Sequence, residues 1–184
     1  MFAFDEKKLL KILDRLSPVL RATFATVCAA RLVSLLSHND EVHAPTKETL
    51  TSAIDMLKAD VRKAGPTAVD WQILLDRVMA LLPLEEETSE EGGNLLDDSV
   101  AAVAYAIRTR MTGSSQEAAW SARRCYEYFD HVANTDFASL GIDEPTEERL
   151  LAYPKTQEEL KQQHDLLESL AEEGDRERSG LTLS

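Results

Sequence analysis

The amino-acid sequence predicts an all-α fold: a single-domain orthogonal or antiparallel bundle of about seven or eight helices around a buried central helix. Three observations predict it. Apolar residues recur at helical spacing along most of the 184 residues. The seven glycines and six prolines cluster between these periodic segments, as is typical of long helices joined by few turns. Residues 95–111 are apolar on nearly every side, and a helix of that kind is buried.

The N-terminal part of the chain predicts two helices. Residues 5–16 form an amphipathic helix with leucines on one face and lysines on the other. Ser17-Pro18, an N-cap followed by a first-turn proline, then starts a second helix that runs to about Leu36. Arg31 falls on the apolar stripe of this helix. We therefore expect Arg31 either to extend its charged end to solvent or to pair with a buried acid.

Two further helices precede an acidic loop. Thr46 caps a helix over residues 46–64, and Gly65-Pro66 is a standard helix stop. The next helix opens at residue 67 or 68 and runs to residue 82. Residues 84–94 are rich in glutamate and contain paired glycines, so we predict a surface loop there.

The central helix and the helix after it have clear end signals. Asp97 and Asp98 begin the central helix, where acidic side chains suit the positive end of the helix dipole. Thr112-Gly113 ends it. Ser114 to Glu117 forms a capping box for the following helix, which we expect over about residues 115–133. The small alanines of both helices allow close packing.

The C-terminal part predicts an irregular connection over residues 134–145, a short helix that ends near Pro154, and a last helix to about Glu173. Residues 174–184 are predicted to be a disordered tail. A chain of 184 residues is long enough for one domain with a sizeable core and too short for two. We therefore predict one helical domain over residues 1–173, with the acidic loop 84–94 inserted in it.

The charge distribution indicates which classes of partner the surface would attract or repel. The formal net charge is −13, and residues 85–98 carry seven acidic side chains and no basic one. Such a surface repels nucleic acid and anionic membranes and attracts basic partners, although it also serves plain solubility. The N-terminus has no signal-peptide pattern, and no apolar run approaches the length of a membrane span. We therefore expect a cytoplasmic protein without nucleic-acid or membrane partners.

Parts of the chain resemble a known family. The segments DDSVAAVAYAI at residues 97–107 and SSQEAAWSARRCYEYFD at residues 114–130 are similar to the bacterial YjaG-like family, a domain of unknown function. Residues 22–36 and 145–170 resemble the same family in the same order, whereas the acidic loop departs from it. The resemblance implies an all-helical fold. It implies no activity, cofactor or catalytic residue.

The outward face of the helix over residues 115–133 is the best surface candidate. Trp120, Arg124, Glu127 and His131 share this face. Tryptophan and arginine are enriched as anchors of protein interfaces, so this set predicts an interface. The alternative is that another helix of the same chain covers Trp120, because large aromatic side chains are usually mostly buried.

A metal site is a second possibility. A carboxylate–histidine set on facing helices can hold a divalent ion in a helical bundle. Here the candidates are Asp97, Asp98, Glu127, Asp130 and His131. The Glu-x-x-His motif of such sites is absent, and only one helix supplies a histidine. The same residues are equally explained by helix ends and by ion pairs along one helix.

No stretch carries a catalytic set. Cys28 and Cys125 each lie on an apolar stripe and are expected to be buried free thiols. His131 follows Cys125 by six residues and lies on nearly the opposite face of the same helix, so the two side chains cannot meet. The sequence therefore favours a non-enzymatic module, without a cofactor, that binds a protein partner or itself. The alternatives are an immunity or antitoxin-like protein that neutralises a basic partner, and a metal-dependent hydrolase.

Overall fold

A computed structural model describes residues 1–62, 69–82, 95–142 and 144–180. This part of the chain contains eight helices and no strand, which confirms the predicted all-α fold. The helices are α1 (Glu6–Leu13), α2 (Pro18–Ser37), α3 (Ala44–Val61), α4 (Trp71–Met79), α5 (Leu95–Thr112), α6 (Ser115–Ser139), α7 (Glu147–Leu151) and α8 (Pro154–Arg178).

The helix starts follow local capping chemistry. The Ser17 hydroxyl accepts a hydrogen bond from Leu20 N at 3.4 Å, and Ser114 accepts one from Glu117 N at 3.3 Å, as the sequence predicts. Thr146 caps α7 in the same way. Because a side-chain oxygen satisfies a backbone donor that has no partner within the helix, these three starts can be read from the sequence.

Several helix ends differ from the predicted ones. The helix α3 begins at Ala44, two residues before Thr46, and α4 begins at Trp71, because Asp70 accepts hydrogen bonds from the backbone of the first turn. The helix α6 continues to Ser139 instead of ending near residue 133. It stops beside Gly141, which has a φ of 77° that favours glycine. Residues 134–139, the first half of the irregular connection predicted over residues 134–145, are therefore helix.

The predicted tail begins inside α8, which extends to Arg178 and not to Glu173. Gly174 is buried there, and a Cβ atom on it would lie 3.3 Å from Leu20 Cδ1 and 3.6 Å from Leu16 Cδ2. The absence of a side chain thus lets the last turns of α8 pack against the start of α2. Residues 181–184 of the predicted tail and the predicted acidic loop 84–94 lie outside the described residues.

The core is built around α5, which packs against α2, α3, α4 and α6. Its buried residues include Val100, Val103 and Ile107, and they belong to one core cluster with residues of every other helix except α7. The central position predicted for this helix is confirmed. Helix α2 is the main neighbour of α5, and the Arg21 guanidinium joins them by donating to Gly113 O at 2.7 Å.

Small residues let the three innermost helices approach closely. Ser121 Oγ of α6 lies 3.1 Å from Ala25 O of α2 and 3.1 Å from Ala102 O of α5. One buried hydroxyl thus reaches the backbone of two neighbouring helices. Such a distance requires small side chains at the crossing, which Ala25, Ala102 and Ala122 provide.

By length and composition alone, α2 could cross a membrane, since its 20 residues include a window with a mean hydropathy of 1.6. The expectation that no apolar run approaches that length therefore overlooks α2. In the structure α2 packs against α3, α5, α6 and α8, and 56% of that window is buried. A core helix of a bundle passes the same test of length and composition, so the apolar character of α2 fits its packing.

Candidate functional site

Trp120 lies at the surface groove between α5 and α6, where it is half-buried. Its ring contacts the ring of Tyr105 on α5, with centroids 5.4 Å apart and an angle of 52° between the planes. The Arg108 guanidinium stands 5.9 Å from the centre of the Tyr105 ring, within the range of a cation–π contact. The chain thus covers part of Trp120 with Tyr105 and leaves part of it exposed. Trp120 is therefore partly covered by a helix of the same chain, and the interface stays a prediction.

Arg124 lies one turn further along α6 and links two carboxylates. Its Nη1 atom is 3.2 Å from Glu127 Oε2 and 3.6 Å from Asp98 Oδ1 of α5. Glu127 Oε1 also accepts a hydrogen bond from Arg123 Nε at 2.7 Å, and Arg123 reaches Glu6 of α1 at 3.6 Å. These contacts connect α1, α5 and α6. We call the half-exposed surface formed by Tyr105, Arg108, Trp120 and Arg124 the aromatic–arginine face.

Of the four predicted interface residues, the structure joins Arg124 and Glu127 directly. Trp120 packs on Tyr105, a residue that the sequence interpretation assigned to the buried central helix. Tyr105 lies on the outer side of α5 because α2, α4 and α6 cover the other faces of that helix. His131 lies one turn beyond Glu127 and is half-buried. Burial raises the pKa of the neighbouring Asp130, and the side-chain hydrogen bond with Tyr126 opposes that rise.

Asp98 is the most unusual ionisable group of this region. Its side chain is only 7% exposed, and its Oδ2 atom is buried without a hydrogen-bond partner. Burial raises the pKa of Asp98 to about 6, while the Arg124 guanidinium opposes that rise and the Glu127 carboxylate adds to it. Burial also raises the pKa of Asp97. Asp98 thus gains a proton at a much higher pH than an exposed aspartate does.

The five residues considered for a metal site do not form one. Across the described ranges, Asp97, Asp98, Glu127, Asp130 and His131 supply no group of three ligand atoms within 4.8 Å of one another. Arg124 lies between Asp98 and Glu127, so a guanidinium holds the position that a cation would need. The periodicity placed these acids on facing helices correctly, but it did not reveal that an arginine joins them.

A different set has the arrangement of metal ligands. On α8, His164 Nδ1 lies 3.6 Å from Glu168 Oε2 and 4.0 Å from Asp165 Oδ1. The two carboxylates are largely exposed, and Asp165 is also paired with Lys161. Polar side chains one turn apart on the same helix account for this set. The spacing of four residues between His164 and Glu168 is visible in the sequence.

The two thiols lie deep in the core. Burial raises the pKa of Cys28 to about 12 and raises that of Cys125 well above its ordinary value. Cys125 Sγ donates to Cys28 O at 3.1 Å. A thiol is nucleophilic as the thiolate, so neither cysteine can act as a nucleophile at neutral pH. This agrees with the predicted buried free thiols.

A groove between α1 and α8 was not predicted. The cavity has a volume of about 760 Å³. Its apolar lining includes Phe2, Phe4, Ile12, Leu16, Leu160 and Leu167, and charged residues stand along its edges. The sequence gave one signal, since Lys8 and Ile12 of α1 are four residues apart and lie on one side of that helix. The pairing of α1 with α8 across the groove required the tertiary structure.

Comparisons with known proteins give no further assignment. No family model, no curated protein and no solved structure matches this chain. The resemblance to the YjaG-like family therefore stays a prediction from the sequence segments that carry it.

Proposed function

We propose that this protein is a non-enzymatic helical module that binds another protein through the aromatic–arginine face. The observation that carries the proposal is the half-exposed Tyr105–Trp120 pair with Arg108 and Arg124 on either side. Tyrosine, tryptophan and arginine are the residues most enriched among those that dominate binding energy at interfaces. A partner side chain that covers the exposed part of Trp120 would bury apolar area at little cost in entropy, because both rings are already held in place.

The ionisable groups support a role in binding and not in catalysis. Burial raises the pKa of both thiols, which keeps them protonated. The carboxylates of Asp98 and Glu127 are engaged by Arg124. The four residues that define the aromatic–arginine face include no serine, threonine or cysteine that could act as a nucleophile. The chemistry of this face is that of contact with another surface.

The charges of this face indicate the kind of partner. The chain carries a net charge of −13, yet Arg108, Arg123 and Arg124 lie together on α5 and α6. Arg123 and Arg124 are already paired with acids of the same chain, so Arg108 beside Tyr105 is the cation of this face that suits an acidic or aromatic group of a partner. Two copies of this acidic chain would repel each other in a self-complex. We therefore favour a different protein over a second copy as the partner.

The test is affinity capture from the source cells with matched baits. The baits are the unmodified protein, Trp120→Ala, Tyr105→Ala, and Ile73→Ala as the control. Ile73 is 58% exposed on α4 and does not belong to the aromatic–arginine face. Proteins retained by the unmodified and Ile73→Ala baits, and lost from the other two, are then purified and titrated calorimetrically. We expect Trp120→Ala to weaken binding by about 2 kcal/mol or more.

Sedimentation velocity over a range of concentrations measures self-association in parallel. Dimer formation that Trp120→Ala abolishes would replace the foreign partner by a second copy on the same face. An identical set of captured proteins for all four baits, with a monomer at every concentration, would refute the proposal. A basic toxin among the specific partners would assign the immunity function, for which the net charge is the present support.

A further inference from the structure

The groove between α1 and α8 is separate from the aromatic–arginine face and has the features of a small-molecule site. Its volume of about 760 Å³ falls within the range of ligand pockets, about 300–1,000 Å³. Its lining is largely apolar and includes Leu160 and Leu167 of α8, Ile12 of α1, and Leu16 shortly after α1. Pockets of this kind take ligands with a substantial apolar part.

The N-terminal segment forms one wall of the groove and is held in place. Phe2 N donates to Gln157 Oε1 at 2.8 Å, and Gln157 Nε2 donates back to Phe2 O at 2.8 Å. The Phe4 ring stacks on Tyr126 of α6, with centroids 5.3 Å apart and 7° between the planes. These contacts shape the groove before any ligand arrives, which lowers the entropic cost of binding.

Some charged side chains around the groove have partners within the chain, and others do not. Asp5 Oδ1 accepts a hydrogen bond from the backbone of α1, Asp175 pairs with Arg178 at 2.5 Å, and Glu168 lies 3.6 Å from His164. By contrast, Lys8 and Arg15 line the groove without an ion pair in the part of the chain that the structure describes. Two unpaired cations beside an apolar cavity, in a protein of net charge −13, indicate a ligand that brings its own negative charge.

We propose that this groove binds a single-chain amphiphile with one anionic head, of the fatty acid class. Lys8 of α1 and Arg15 in the turn after α1 line the same groove, and their long side chains can bring two cationic ends to one carboxylate. The acyl chain lies along α8, whose lining residues from Leu160 to Arg178 span about 27 Å of helix. A polyphosphate ligand fits less well, because Asp5, Glu168 and Asp175 line the same groove.

The test is isothermal titration of the full chain with decanoate, below its micelle concentration at pH 7.5. Two double variants are compared with the unmodified protein. Lys8→Ala/Arg15→Ala removes the two groove cations, and Lys7→Ala/Lys11→Ala removes two cations of the same helix that do not line the groove. Both variants lose the same charge. We expect the first to weaken decanoate binding about tenfold and the second to leave it nearly unchanged.

Two further measurements complete the test: the binding of decan-1-ol, and the binding of decanoate to a variant with a filled groove. The uncharged alcohol should bind the unmodified protein about tenfold more weakly than decanoate does. On Lys8→Ala/Arg15→Ala, the alcohol and decanoate should bind with equal affinity. Ala171→Trp, which places a bulky ring in the groove, should abolish decanoate binding while circular dichroism shows an unchanged helix content. Failure of decanoate to bind, equal losses in the two double variants, or equal affinity for acid and alcohol would overturn the proposal. The aromatic–arginine face is untouched by all these variants, so either proposal can fail without the other.

Discussion

Arg31 of α2 and Glu159 of α8 form a two-point ion pair across the core, although 128 residues separate them in the sequence. Arg31 Nε donates to Glu159 Oε2 at 2.8 Å, and Arg31 Nη2 donates to Glu159 Oε1 at 2.7 Å. Gln163 Nε2 also donates to Glu159 Oε1 at 2.8 Å. The Glu159 side chain is only 3% exposed, so its charge depends on these donors.

Removal of Arg31 is expected to destabilise the protein strongly. Arg31→Met leaves the Glu159 carboxylate buried without its ionic partner, and we expect a loss of about 3 kcal/mol in the free energy of unfolding. Arg31→Met/Glu159→Met removes both charges and should cost clearly less than Arg31→Met alone. Urea unfolding followed by circular dichroism measures both. Equal losses in the single and double variants would show that burial of the charge is not the cause.

The contact of three helices at Ser121 predicts that a larger side chain destabilises the protein there but not at an exposed position. Ser121→Leu adds volume where the backbones of α2 and α5 approach the hydroxyl to 3.1 Å, and we expect a loss of about 2–3 kcal/mol or more in stability. Ser52→Leu makes the same change on the exposed side of α3 and should alter stability by less than about 0.5 kcal/mol. Thermal unfolding of both variants measures the difference, which should vanish if the crossing is loosely packed.

The raised pKa of Asp98 predicts a defined pH dependence. Because the pKa of about 6 in the folded protein exceeds the ordinary value of 3.8, the folded state binds this proton more tightly than the unfolded chain. The resulting stabilisation is fully present below about pH 4 and is lost as the pH rises through 6. Asp98→Asn should therefore gain stability relative to the unmodified protein between these pH values, by about 2 kcal/mol at pH 7.

Urea unfolding at several pH values gives this difference directly. Asp55→Asn, which makes the same change at an exposed aspartate of α3, is the control. Carboxyl titration of Asp98 by NMR measures its pKa independently. A midpoint near that of a free aspartate would contradict the inferred effect of burial.

The packing of Gly174 predicts that the end of α8 contributes to stability. Gly174→Leu forces a side chain against Leu16 and Leu20 and is expected to cost about 1–3 kcal/mol. Glu173→Leu, one residue earlier on the exposed side, should change stability by less than about 0.5 kcal/mol. If both variants were as stable as the unmodified protein in urea, residues beyond 173 would behave as the tail predicted from the sequence.

The burial of Cys28 and Cys125 predicts slow alkylation. Both side chains are inaccessible, and burial raises the pKa of Cys28 to about 12. The folded protein at pH 8 should therefore react with iodoacetamide far more slowly than the chain in denaturant, because little thiolate is present and access requires opening of the core. Mass spectrometry of the alkylated protein follows each thiol separately. Rapid labelling of either one in the native state would contradict this packing.

Local interactions determined the helices, and the sequence contains them in full. The Ser17 and Ser114 caps were identified correctly, because a cap joins residues two or three positions apart. The central position of α5 was also predicted, since apolar residues on nearly every side leave a helix no polar face to expose. The position of Arg31 on an apolar stripe was sufficient to predict that it pairs with a buried acid or extends to solvent.

Contacts between distant parts of the chain were decided by the tertiary structure. The choice of Glu159 as the partner of Arg31, the packing of Trp120 on Tyr105 and the groove between α1 and α8 all depend on which helices become neighbours. The apolar pattern of a helix specifies the face that it buries but not the helix that covers it. That pairing follows from the fit of all side chains in one close-packed core, where small residues such as Ala25 and Gly174 set the distances between helices.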